Sequence, residues 1–451
     1  MRPSSSSSDG GGLTGPLFGS PAVDALLSDG AWVCAMLEVE AALAGACAGA
    51  GVVPAEAAAE IAAACREVHL DVDDLGRRAL AAGNPVVPLV ADLEARLSEA
   101  ARPHLHRGAT SQDVVDTALM LLARHALGPL LDDLAAVAAA SARLAAEHRD
   151  TPMAARTLLQ QALPTTFGLR CAGWMVAVDD VCRELATVRE QRIAVQLGGA
   201  AGTLAALGDA GPEVMRRLAA GLGLAEPVLP WHTDRVRIAE LAGALGTAAG
   251  ALGKIAGDVV LLSQTEVGEV AEAQGGGSST LPQKHNPVRA VLAGAGARRA
   301  PGLVATLLAA MPQEHERAAG AWHAEWDTLR DLLRVTGGAA AHVRASLDTL
   351  RVDPARMRAN LELTRGALLA ESVAGLLAPA LGRGGAQRLV HDCVRRAEAG
   401  GTGLREVLAA DPRVREHLSD AQIDAALDPA AHLGAAAALV DRALRAHAAG
   451  R

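Results

Sequence analysis

The run from 234 to 273, DRVRIAELAGALGTAAGALGKIAGDVVLLSQTEVGEVAEA, contains no proline. Its apolar residues recur at helical spacing, and at 1.5 Å per residue a continuous helix would be ~60 Å long. One small domain cannot cover a helix of that length, so the run predicts an elongated bundle. The stretches 111–148, 167–195 and 288–345 carry similar long apolar patterns with few breakers. Composition agrees. The 451 residues are half hydrophobic yet include two Phe, five Trp and no Tyr, so the core must be built from Ala, Leu and Val. Ala and Leu are strong helix formers, and small faces let helices approach closely. The expected fold class is all-α, with a central bundle of long helices. Its apolar faces are wider than one chain needs, which predicts oligomerisation through the bundle.

Three units are expected after a low-complexity, disordered tail at 1–15. The first, 16–110, has moderate helices broken at GVVP (51–54) and GNPVVP (83–88), and starts where Ser20 can cap a helix with Pro21 in its first turn. The long helices fill 111–350. Shorter ones occupy 351–451, separated by GRGG, AGGTG and LSD. A net charge of −9 without a basic block argues against a nucleic-acid partner. The six cysteines form no CxxC pair, which points to buried free thiols in a reducing cytosol rather than disulfides or zinc. The opening MRPSSSSSDGGG lacks the apolar run of a signal peptide, and no uncharged apolar stretch reaches about 20 residues. The expectation is a soluble, cytoplasmic protein with no membrane partner.

Four stretches interrupt the helical pattern with small polar residues. In HLHRGATSQDVVDTALML (104–121), Thr110 or Ser111 can cap the next helix while Asp113 reaches back to it. A helix start offers free N–H groups and partial positive charge, so hydroxyls there can also hold a carboxylate. Capping alone accounts for Thr110 and Asp113 but not for His106 and Gln112 beside them. In RTLLQQALPTTFG (156–168), Gln160 and Gln161 lie in an apolar helical pattern that Pro164 breaks; they bind a ligand or satisfy each other in the core. QLGGAAGTLAALG (196–208) reads as a turn for close helix packing, and His232 in PWHTDR (230–235) as a capping or packing residue. EHER (314–317) and WHAEW (322–326) place His315, Glu316, His323 and Glu325 on helices without metal spacing.

The fourth stretch is GGGSSTLPQKHNP (275–287), longer than a tight turn between helices needs, which suggests a lid or binding loop. It carries Lys284, one of only two lysines among 42 basic residues, and a compact ammonium is something arginine's fork cannot replace. A nucleotide cradle is disfavoured because GxxxxGK[ST] is absent and no strand precedes the loop. A Ser–His–Asp hydrolase is disfavoured because there is no GxSxG elbow.

GSSTLPQKHNP resembles the signature loop of the fumarase/aspartase superfamily. GATSQDVVDTAL and QQALPTTFG resemble its other two shared regions, in family order. The resemblance implies a three-domain fold and homotetramers around twenty long helices, each active site being assembled from three subunits. It implies that Ser278 removes a proton beside a carboxylate, that Ser279, Lys284 and Asn286 hold substrate carboxylates, and that Thr110, Ser111 and Gln160 bind substrate. No metal or organic cofactor is implied. Adenylosuccinate-cleaving members place histidines where this chain has Leu158 and Asn84, so that activity is not expected. GNPVVPLV, RTLLQQALP, PWHTDR and AEWDTL are instead similar to the 3-carboxy-cis,cis-muconate cycloisomerase branch, which forms 4-carboxymuconolactone in protocatechuate breakdown. Asn84 and His106 join the expected substrate-binding set, and His106 and His285 are candidates for a general acid. His285 replaces that branch's usual arginine, and Leu158 a frequent tryptophan. The alternatives are a C–N lyase releasing fumarate, for example from nitrosuccinate, and, more remotely, a non-catalytic structural homologue.

Overall fold

The computed structural model describes residues 12–273, 276–277, 281 and 283–450. Among these, six helices exceed twenty residues: α1 (Asp29–Gly49), α2 (Ser111–Glu147), α3 (Phe167–Gln191), α4 (Val236–Leu262), α5 (Val288–Ala309) and α6 (Ala321–Asp348); α7 (Ala370–Gly400) is two shorter helices joined at a kink. The fold is all-α, its described strands confined to three two-stranded pairs. Ser20 and Pro21 stand at the N-cap and first turn of helix Pro21–Leu26, although the Ser20 side chain makes no cap bond.

Several sequence expectations need correction. The 234–273 run is helical only over α4, 27 residues or ~40 Å. Beyond it Gly268 adopts φ 60°, and the chain becomes a strand, Val270–Glu272, paired antiparallel with Leu350–Val352. The 288–345 stretch is two helices, and EHER falls in the connection between them, with His315 at φ 48°. GRGG, by contrast, separates helices as expected: Gly382 (φ 69°, ψ 154°) is non-helical, and the two arms of α7 meet there at a kink. RTLLQQALPTT is not helical either. It is a hairpin of β1 (Pro152–Thr157) and β2 (Gln160–Thr166), with Thr157 opposite Gln160 and Arg156 opposite Gln161. Its tip is Leu158–Leu159, both left-handed (φ 51° and 66°) and both exposed.

The chain forms two compact units interleaved along the sequence. One comprises residues up to Ala135, Asp180–Lys254 and Val291–Val343. The other comprises Ala136–Asp179, Ile255–Ala290 and Arg344 onward. Every internal boundary falls inside one of the helices α2 to α6.

In the first unit the core is largely Ala, Leu and Val, as composition requires. Trp322 packs edge-on against Trp326 with centroids 4.8 Å apart, and Trp326 against Trp32 at 6.0 Å. α4 meets α5 through glycine: a Cβ at Gly253 would stand 2.9 Å from the Ala297 Cβ. In the second unit Glu269, fully buried, receives both Arg156 Nη atoms (2.7 and 3.0 Å) and Asn360 Nδ2 (2.8 Å). Glu272 accepts from the Arg289 and Ala290 N–H groups, capping α5. All six cysteines are free; Cys47, Cys65, Cys171 and Cys393 are buried as expected, whereas Cys34 is exposed and Cys182 half-buried.

By length and composition α1, α2 and α4 are apolar enough to cross a membrane, although each carries charged residues. Within the fold, 56%, 72% and 50% of their most apolar windows are buried.

Candidate active site

The first two turns of α2 press four polar side chains into the first unit's interior: Gln112, Asp113, Asp116 and Thr117 are all 0–1% exposed. Burying that much polarity is tolerable only when partners are supplied. Asp113 has four. It accepts from the Thr110 N–H (3.0 Å), reaching back as the sequence suggested. It also accepts from the Gly198 and Gly199 N–H groups (2.9 Å each) and from His232 Nε2 (2.7 Å). The 196–208 stretch therefore serves this carboxylate rather than helix packing. Gly199 is left-handed (φ 68°), and a Cβ at Gly198 would stand 2.7 Å from His232 Cε1. His232 is a packing residue, as expected, but one that carries a specific bond.

One turn further, Asp116 accepts from Arg235 Nη1 (2.8 Å), Trp322 Nε1 (2.9 Å) and Gln112 Nε2 (3.2 Å). Arg235, 2% exposed, also binds Glu325 and lies 4.7 Å from the Trp231 ring centroid. Gln313 Nε2 donates to Glu325 at 2.9 Å. Burial pushes the Glu325 carboxyl up, against the opposing pull of Arg235. Burial would likewise lower Arg235, but the Asp116 and Glu325 carboxylates outweigh it and raise it further. Thr117 Oγ1 bonds the Gln196 backbone on both its O (3.1 Å) and N (2.9 Å) sides. These bonds hold the start of α2 in one position. Thr110 and Ser111, half-buried, stand at that start.

His106 lies four residues earlier, at φ 54°, and its Nδ1 is 2.6 Å from Glu40 Oε1 on α1. Asn84, in another turn of this unit, uses its side chain locally: Oδ1 accepts from the Val86 N–H (3.1 Å) and Nδ2 donates to the Ala82 carbonyl (3.2 Å). The structure thus gathers His106, Thr110 and Ser111 at one loop–helix junction and puts Asn84 on a separate turn.

Gln160, Lys284 and Asn286 belong to the second unit. Gln160 is exposed at the base of the hairpin tip, not on a helix. Its neighbour Gln161 donates to the Asn360 carbonyl at 2.9 Å rather than pairing with Gln160. Lys284 is exposed, and Asn286 stands opposite Gly276 in a two-residue ladder. Ser278 and Ser279 lie outside the described residues. Sequence reasoning missed Glu40, whose one signal was an acid inside the apolar run DGAWVCAMLEVEAALAG. It also missed the joint role of Gly198, Gly199 and His232, which no single motif displays. Among the described residues no group of three or more His, Cys, Asp or Glu is placed to hold a metal ion.

A family model described as Lyase matches residues 24–302, and one described as Adenylosuccinate lyase C-terminus matches 366–443. The chain belongs to the fumarase/aspartase lyase superfamily. Within that superfamily it is 48% identical to a 3-carboxy-cis,cis-muconate cycloisomerase of Pseudomonas aeruginosa, over 94% of each chain. It is 46% identical to a nitrosuccinate lyase of Streptomyces davaonensis, over 96% of this chain and 94% of that one. The crystal structure of 3-carboxy-cis,cis-muconate lactonizing enzyme from Pseudomonas putida superposes with a TM-score of 0.91 at 44% identity, covering 97% of this chain and 99% of that one. The buried bonds around Asp113 and Asp116 lie within the stretch that the Lyase family model matches.

Proposed function

We propose that this protein is a 3-carboxy-cis,cis-muconate cycloisomerase, forming 4-carboxymuconolactone in protocatechuate breakdown. The observation that carries the reading is the near end-to-end similarity to cycloisomerases of that name, at 45–48% identity. A substrate carboxylate oxygen adds to a neighbouring double bond, and the displaced electron pair moves onto a carbon beside another carboxylate. Charge then spreads over that carboxylate. The helix start at Thr110 and Ser111, together with Lys284 and Asn286, supplies the donors and positive charge that stabilise it. Ser278 gives its hydroxyl proton to the carbon, and Ser279, Gln160, Asn84 and His106 complete the substrate's contacts. No metal or organic cofactor enters the reaction.

The working form we propose is a cytoplasmic homotetramer with each site drawn from three subunits. Val236 on α4 and Val291 and Leu308 on α5 are exposed in the single chain, which supports burial of these faces against further copies. An ultraviolet assay tests the reaction: loss of diene absorbance without fumarate is the expected result. A second reading, nitrosuccinate cleavage, is favoured by the 46% identity to that lyase and by His285 in place of the cycloisomerase branch's arginine. Fumarate released from nitrosuccinate, with no change in carboxymuconate, would establish it instead.

A further inference from the structure

We infer that Glu40 is a positioning residue that holds His106 as an imidazolium, so that the ring's Nε2–H serves as a subsite for a substrate carboxylate beside the α2 start. This rests on the proposed reading that Thr110 and Ser111 bind substrate.

Glu40 is 1% exposed on α1, in a helix otherwise lined by Ala, Leu, Val and Met. Its Oε2 is buried with no hydrogen-bond partner among the described residues. A carboxylate so placed is costly unless a cation stands against it. The His106 ring is that group, at 2.6 Å, and its side chain keeps 22% of its surface exposed. A charged ring donates Nδ1–H to Glu40 and retains Nε2–H, for which no partner occurs among the described residues. His106 also holds a left-handed backbone (φ 54°), a conformation that non-glycine residues adopt at a cost. The Glu40 bond and the turn closed by the Ala109 N–H on the His106 carbonyl (3.3 Å) maintain it. Such strain is commonly kept where a side chain must be aimed.

The surrounding groups favour the charged form. Burial alone would lower His106, but Glu40's charge and hydrogen bond, with a further contribution from Asp113, raise it above its ordinary value. Asp113 is itself bonded to His232. Arg107 is adjacent in sequence. The thiols of Cys47 and Cys65, which flank Glu40, are pushed by burial up to about 11 and about 12 and carry no charge near neutrality.

The test is Glu40→Gln in the full chain, since the amide keeps an acceptor for Nδ1–H but removes the charge. Proton NMR of the imidazole should show the His106 midpoint falling once the Glu40 charge is removed. Calorimetry with propane-1,2,3-tricarboxylate at pH 7.5 should show about ten-fold weaker binding. KM for carboxymuconate should rise while kcat changes by less than about two-fold. His106→Asn should lose the same affinity, and the double variant no more, because the two residues act as one unit. A midpoint that falls with tricarboxylate affinity unchanged overturns the inference. Should the Gln variant not fold, the wild-type protein decides: tricarboxylate binding must weaken as pH rises through the His106 midpoint, and a flat profile rejects the subsite. Because binding is read with a non-reacting probe, failure here is distinct from failure to turn over carboxymuconate.

Discussion

Asp113 shows how one buried carboxylate can fix a loop–helix junction. Its four donors come from three separate segments. An amide there must present an N–H to at least one of them, leaving a buried donor unmatched at about 1–3 kcal/mol. Asp113→Asn is expected to cost about 2–4 kcal/mol in urea unfolding for that reason. Arg235 makes a sharper case, because it stands between two buried carboxylates. Arg235→Met should destabilise by about 3–5 kcal/mol, and adding Asp116→Asn and Glu325→Gln should recover most of it, since the loss comes from uncompensated charge. Ser278→Ala is expected to abolish turnover with the oligomer intact by light scattering. Lys284→Met should lower kcat/KM by about 100-fold, the scale set by removing one charged donor from a developing anion. The motif GATSQD made the helix start legible, including Asp113's reach back to Thr110. Glu40 stayed hidden because its partner lies 66 residues away, and nothing in a single sequence announces such a pair.

Periodicity found the long helices, because an apolar stripe leaves its mark at every turn. It failed where tertiary bonds override local preference. The hairpin at 152–166 has Leu–Leu at its tip, where two-residue turns favour Asn–Gly, so turn chemistry gave no signal. Arg156 anchors the hairpin to Glu269, 113 residues away. The end of α4 was hidden for a related reason, since Gly268 and a three-residue strand are too short to disturb a 40-residue pattern. Glycine within α4 has a clearer consequence. Gly253→Val would drive a branched side chain into Ala297 and should lower stability by about 1–3 kcal/mol through overpacking, measured by thermal unfolding.

For the molecule as a whole, two ionisations should bound the stability profile. His106 has a folded pKa raised above its unfolded value near about 6.5, so its contribution is complete below that pH and disappears as pH rises through the folded value. Asp411 runs the other way. Its hydrogen bond to Arg413, then backbone and Arg396 bonds, hold the carboxyl well below its usual range. Its contribution is present above about pH 3.9 and lost as the solution is acidified further. Melting temperatures across pH 3 to 9 should fall at both ends, with Asp411→Asn removing part of the acid limb and Glu40→Gln part of the alkaline one.

The interleaving of the two units bears on how the polypeptide matures. The first cannot be complete until Val343 has been synthesised, because it uses Val291–Val343 as well as the amino-terminal helices. The second begins at Ala136 yet draws on everything after Arg344. A ribosome-bound chain must therefore carry exposed apolar helices until residue 343 has emerged, when the first half can close, and the second half must wait for the carboxy-terminal helices.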